Sequence, residues 1–89
     1  MQLLVLYDIS DDRIRAKIAC TCEDYGLDRI QFSAFYGRLN RNLQGELMLK
    51  LSNLLGDKCG SIQLVPISED DWKRRIEVTI KPCLTIPSL

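Results

Sequence analysis

The spacing of apolar residues changes several times along the chain, and each change marks an element. Residues 2 to 8 run through Leu3, Leu4, Val5, Leu6 and Tyr7 before reaching Asp8. Apolar residues occupy both parities, which predicts a strand covered on both faces. Ile14, Ile18, Cys22 and Tyr25 then follow at i, i+4, i+8 and i+11, the stripe of an amphipathic helix. Ser10 is the predicted N-cap, Asp11 and Asp12 suit the positive end of the helix dipole, and Gly26 is a natural stop.

Residues 28 to 39, DRIQFSAFYGRL, are rich in aromatic and β-favouring types and predict extended chain. Phe32, Ala34 and Tyr36 share one parity, Ser33 and Phe35 the other; one bent strand and two short ones fit equally well. Asn40 or Asn42 caps a second helix, whose stripe is Leu43, Leu47, Leu51, Leu54 and Leu55 and whose end is Gly56. Gly45 within it costs roughly 1 kcal/mol against alanine. SIQLVPI, residues 61 to 67, predicts a strand in which Pro66 belongs near an end or an edge. SEDDW is a polar link or a single turn. In IEVTI, residues 76 to 80, Ile76, Val78 and Ile80 alternate with Glu77 and Thr79, as in a half-buried strand.

This order of elements predicts an α+β fold. The best match is a ferredoxin-like two-layer sandwich, βαββαβ, with an extra C-terminal strand and both helices on one face of the sheet. Residues 1–80 form the ferredoxin-like domain, and 81–89, with two prolines and three large aliphatics, a C-terminal tail. The uncovered sheet face predicts a two-fold homodimer, in which the last strand pairs with the partner's sheet edge.

Composition narrows the function. The chain has 89 residues, 46% hydrophobic and 27% charged, with a formal net charge of zero. Neutrality counts mildly against nucleic-acid binding, but the charges are segregated. Arg13, Arg15 and Lys17 cluster, as do Arg38 with Arg41, and Lys73 with Arg74 and Arg75; Asp8, Asp11 and Asp12, and Glu69, Asp70 and Asp71, form acidic groups. Solvated helix and loop faces give the same pattern. No apolar run crosses a membrane, and a start without a basic segment predicts a cytoplasmic protein. Histidine is absent, which removes Ser-His-Asp and Cys-His catalysis. Cys20 and Cys22 point about 200° apart on a helix and cannot share a metal. They, Cys59 and Cys83 read as reduced and mostly structural.

Chemistry must therefore use carboxylates, Tyr, Ser, Lys, Arg or a hard metal. Asp8 ends the first strand, where a rigid scaffold exposes functional groups. One carboxylate is thin support for Mg²⁺ or Mn²⁺, but two copies of Asp8 across a dimer axis suffice. An Asp beside a helix start needs no metal at all, and that plainer account is the stronger on the residues alone. Phe32, Phe35 and Tyr36 do not match the spacing of RNA-binding sheets and read mainly as core or dimer interface.

YDIS at 7–10, Arg15, GLDRIQFSAFYGRL at 26–39 and IQLVPISEDDWKRRIEV at 62–78 together resemble the CRISPR-associated Cas two family, over residues 3 to about 80. The resemblance implies a ferredoxin-like homodimer acting in spacer acquisition, which bridges two dimers of the CRISPR integrase and holds double-stranded prespacer DNA. For some members it implies metal-dependent nuclease activity on single-stranded RNA or double-stranded DNA. It places the metal aspartate at Asp8, shared by two copies through Mg²⁺, and the other catalytic positions at Tyr7, Arg15, Arg29 and Phe35. Phe32 stands where many members have Tyr, and Lys17 where some have Arg; Lys keeps the charge but loses the bidentate fork. The nucleic-acid contacts expected here are Arg13, Arg15, Lys17, Arg38 and Arg41. Two rivals remain: a toxin-type ribonuclease of the virulence-associated protein D family, and a non-catalytic ferredoxin-like binding module. The second lacks the Gly-rich ligand loop it requires. Leu84, Ile86 and Leu89 of the tail are candidates for docking on the integrase.

Overall fold

The structure, a computed structural model, describes residues 2–80; the tail lies outside the described residues. Its elements are β1 (Gln2–Ile9), α1 (Asp12–Asp24), β2 (Asp28–Gln31), β3 (Ala34–Arg38), α2 (Arg41–Leu55), β4 (Gly60–Ile67) and α3 (Glu69–Lys73). The strands form one sheet in the order β2-β3-β1-β4, and every pair is antiparallel. This is the ferredoxin-like α+β arrangement the sequence predicts, followed by a short third helix.

β1 lies at the centre because its helix-facing residues carry the core. Leu3, Val5, Tyr7 and Ile9 cluster with Ile18, Ala19 and Cys22 of α1 and with Leu47 and Leu51 of α2. The predicted cover on both faces of β1 is not met among the described residues. Leu4 is only half-buried, and Leu6 and Asp8 are exposed, because both helices pack on the other side.

Local chemistry sets the ends. Asp11, not Ser10, caps α1, its carboxylate accepting from Ile14 N at 2.9 Å. Asn40 caps α2, its side chain accepting from Leu43 N at 2.8 Å. Gly26 and Gly56 take positive φ, 81° and 61°, where a Cβ would strain the chain. Residues 28–39 form two strands, divided at a turn through Phe32 and Ser33 with a register shift between Arg29 and Gln31. Pro66 sits near the end of β4, which is the outer strand beside β1. Residues 76–80 form no strand in the described chain, and Ile76 and Val78 are 95% and 87% exposed. The alternation is there, but residues 76–80 pair with no strand among the described residues.

Candidate functional site

Two clusters meet at the C-terminal end of β1, on opposite faces of the sheet. Side chains alternate along a strand, so the adjacent Tyr7 and Asp8 part company. Tyr7 points to the helix side and is buried, while Asp8 points to the bare face and is exposed. In register Asp8 lies opposite Ser61 of β4. A shallow depression there is lined by Leu6, Asp8, Ser33, Ser61 and Gln63 among others. The surround is hydroxyl and amide, with no second carboxylate among the described residues that line it. Among the described residues no three His, Cys, Asp or Glu side chains gather to hold a metal ion.

The helix-side cluster is cationic and aromatic. Arg15 donates from Nη1 to the carbonyl of Ile9 at 2.9 Å and is ion-paired with Asp12. Its guanidinium carbon lies 5.4 Å from the ring centre of Phe32. Arg29 lies 5.9 Å from the same ring and 5.1 Å from that of Phe35. Below them the rings of Tyr7 and Phe35 stack at 6.4 Å and 19°. The Tyr7 hydroxyl donates to the carbonyl of Phe32 at 3.5 Å, and the Tyr7 backbone N–H to that of Ser33 at 3.1 Å, so Tyr7 anchors the β2–β3 turn. Phe35 is fully buried and belongs to the floor of the cluster. The same burial pushes the Cys22 thiol up to about 11, with the charge of Glu23 adding to it and that of Arg29 opposing it.

The five expected nucleic-acid contacts do not form one surface. Arg13 and Lys17 line a groove with Cys20 and Leu54, on the opposite side of α1 from Arg15. Arg38 sits across from Gln2 at the far end of β1, ion-paired with Glu69 at 3.3 Å. Arg41 opens α2 and is exposed. The described cysteines are all free, as expected; Cys22 is buried in the core, whereas Cys20 and Cys59 are exposed, so only Cys22 among them has the structural role expected of most.

Pattern reasoning missed a second aromatic feature. On the bare face the rings of Tyr36 and Trp72 stack at 3.6 Å, 8° from parallel. The guanidinium of Arg75 lies 3.8 Å from the Trp72 ring centre. Nothing in local spacing links position 36 to position 72.

The family model described as CRISPR associated protein Cas2 matches residues 1–75. The chain belongs to that family. The match spans every element described above. The Cas2-family chain is 36% identical over 81 residues to the CRISPR-associated endoribonuclease Cas2 of Desulforudis audaxviator, covering 89% of this chain and 76% of that one. It is 41% identical over 75 residues to an endoribonuclease Cas2 of Chloroflexus aurantiacus, covering 84% and 88%. A Thermoproteus tenax protein named as a fusion of CRISPR-associated endonuclease Cas1 and endonuclease Cas2 is 35% identical, and the match covers 91% of this chain and 29% of the fusion. Among solved structures, Streptococcus pyogenes Cas2 at pH 6.5 superposes with a TM-score of 0.76 at 26% identity, covering 89% of this chain and 99% of that one. A hypothetical protein from Thermus thermophilus gives 0.72 at 29% identity, covering 88% of each.

Proposed function

We propose that this Cas2-family chain acts in CRISPR adaptation as a homodimer that binds duplex DNA through its backbone phosphates and bridges two integrase dimers. The bare face of the sheet carries the reading. Leu6 and Ile30 are 36% and 41% exposed on strands of that sheet, and Ile76, Val78 and Ile80 beyond α3 are 95%, 87% and 64% exposed. Exposed apolar side chains of this kind are what a partner covers. A second copy buries the face, and residues 76–80 become a strand on the partner's β4, whose outer edge is unpaired among the described residues. Arg13 and Lys17 on one side of α1, Arg15 on the other, Arg38 at the far end of β1 and Arg41 at the start of α2 lie on separate surfaces, so each meets phosphates at a different place along the duplex without reading bases, and binding is independent of sequence and falls steeply with salt. The Thermoproteus tenax fusion, which joins Cas1 and Cas2 in one chain, supports a Cas1-type partner.

A second reading adds phosphodiester cleavage. The exposed Asp8 favours it, as do the relatives named endoribonucleases. One chain offers a hard cation a single carboxylate ringed by hydroxyls and an amide, which is too few protein donors. Two copies of Asp8 across a dimer axis meet the one or two carboxylates that Mg²⁺ commonly takes. Bound there, Mg²⁺ or Mn²⁺ would supply Lewis acidity and a more acidic coordinated water. The chain's own part is to hold Asp8 at a rigid strand end, with Arg15 and Arg29 on the other face of the sheet to engage the strand away from the scissile bond. The buried Tyr7 and Phe35 act by position.

Both readings are tested with labelled double-stranded DNA and single-stranded RNA, using wild type and Asp8→Asn, with Mg²⁺, Mn²⁺ or EDTA. Duplex binding by both proteins, weakening linearly in log–log salt plots, is expected. Failure of wild type to bind duplex at low salt overturns the scaffold. Metal-dependent cleavage by wild type alone establishes the nuclease. No cleavage, or equal cleavage by both, removes Asp8 from catalysis and leaves the scaffold.

A further inference from the structure

Phe32 is 68% exposed, although the β2–β3 turn that carries it is fixed by Tyr7 from below. Nothing in the described chain covers the ring. Arg15 and Arg29 flank it at 5.4 and 5.9 Å, well beyond the 3.8 Å at which Arg75 lies over Trp72. The guanidiniums therefore surround the ring without sealing it. With Asp12 and Ala16 they line a shallow depression of about 250 Å³. Asp12 already occupies Arg15, whereas Arg29 has no ion pair or side-chain hydrogen bond among the described residues. An exposed ring, rigidly mounted, with a free guanidinium beside it, has the makings of a platform for single-stranded nucleic acid: the ring takes a base and the cation takes its phosphate.

We propose that Phe32 stacks an unpaired nucleobase while Arg29, backed by Arg15, holds the flanking phosphate. The inference rests on the nucleic-acid reading above and adds to it a preference for unpaired nucleotides. The cluster lies on the helix side of the sheet, so a partner packed on the bare face leaves it open. The ring needs no hydroxyl for this role, because stacking uses the π-face. An unpaired base at a frayed or overhanging DNA end and a base of single-stranded RNA present the same chemistry.

The test measures binding of three probes by fluorescence anisotropy: a blunt DNA duplex, the same duplex with a single-stranded overhang, and single-stranded RNA. The proteins are wild type, Phe32→Leu and Phe32→Tyr, each checked for folding by circular dichroism. Wild type is expected to prefer the overhang or the RNA over the blunt duplex. Phe32→Leu is expected to lose about fivefold or more of affinity for the preferred probe, with blunt-duplex affinity unchanged, and Phe32→Tyr to retain it. The adenine analogue 2-aminopurine at the unpaired position is expected to be quenched by wild type and Phe32→Tyr but not by Phe32→Leu. The preferred probe identifies the source of the base. No preference in wild type, or equal binding and quenching by Phe32→Leu, overturns the inference. Blunt-duplex binding is read separately, so failure of the scaffold reading shows in that arm alone.

Discussion

The ring of Trp72 lies 3.6 Å from that of Tyr36, almost parallel to it, and ties α3 to the bare face of the sheet. With Arg75 on its other side at 3.8 Å, the indole is the middle layer of a three-part stack. α3 has only 5 residues, too short to hold itself together in water, so the stack and the Arg38–Glu69 ion pair keep it in place. Trp72→Ala is expected to lower stability by about 1–2 kcal/mol, read from the urea midpoint. Hydrogen exchange should quicken in residues 69–75 while β1 stays protected. Trp72→Phe is expected to recover most of the loss.

Thiol labelling separates the cysteines. Cys22 is fully buried and its thiol is pushed up to about 11 by desolvation, so at pH 8 it holds almost no thiolate, the reactive form. Cys20 and Cys59 are exposed. Mass spectrometry after iodoacetamide treatment of the native protein should find label on Cys20 and Cys59, with Cys22 labelled only in denaturant.

Much of the fold follows from period and punctuation. The stripe from Ile14 to Tyr25, the α2 stripe from Leu47 to Leu55, and Gly26 and Gly56 lie where the pattern puts them, because each is a local preference that packing reinforces; Leu43, also predicted for that stripe, is 37% exposed. The failures are tertiary. Ser10 and Asp11 are both good caps, and which one turns its oxygen to the helix depends on how the chain leaves β1. The face of β1 away from α1 and α2 reads as buried from its apolar residues, but among the described residues only the short segment around Trp72 packs near it, and residues 76–80 pair with no strand. At the site, Tyr7 and Asp8 are neighbours in sequence that serve opposite faces. The grouping of Phe32 with Arg15 and Arg29 needs the turn to come back over α1, which no spacing encodes.

The cap also sets an acid sensitivity. The bond from Ile14 N, the largest cause, holds the Asp11 carboxyl below its ordinary 3.8. A carboxylate depressed in the folded state stabilises the fold above its unfolded value, and that contribution is lost as pH falls through the folded one. Wild type is thus expected to be more stable than Asp11→Ala at neutral pH. Much of that margin should disappear as pH drops from about 4 downward. Parallel urea titrations between neutrality and the acid limit of folding measure the difference. A gap that stays constant would mean the carboxylate charge adds nothing to the cap.

Leu6 offers the most direct test of the proposed dimer. It lies on the bare face two residues before Asp8, opposite Ala34 on one side and Gln63 on the other. It is already 36% exposed in the single chain, so a polar side chain there leaves no cavity and buries no charge within one copy. Leu6→Glu is expected to keep the circular dichroism of wild type. Between two copies the outcome reverses, because two added carboxylates would join two Asp8 side chains at the contact, and like charges out of water cost several kcal/mol. Sedimentation equilibrium should find wild type dimeric and Leu6→Glu monomeric, with weaker, less salt-dependent DNA binding as half the phosphate contacts are lost. A Leu6→Glu protein that remains a dimer would move the interface off the sheet face and leave pairing of residues 76–80 with the partner's β4 as the contact. Val78→Lys would then become the substitution that separates the copies.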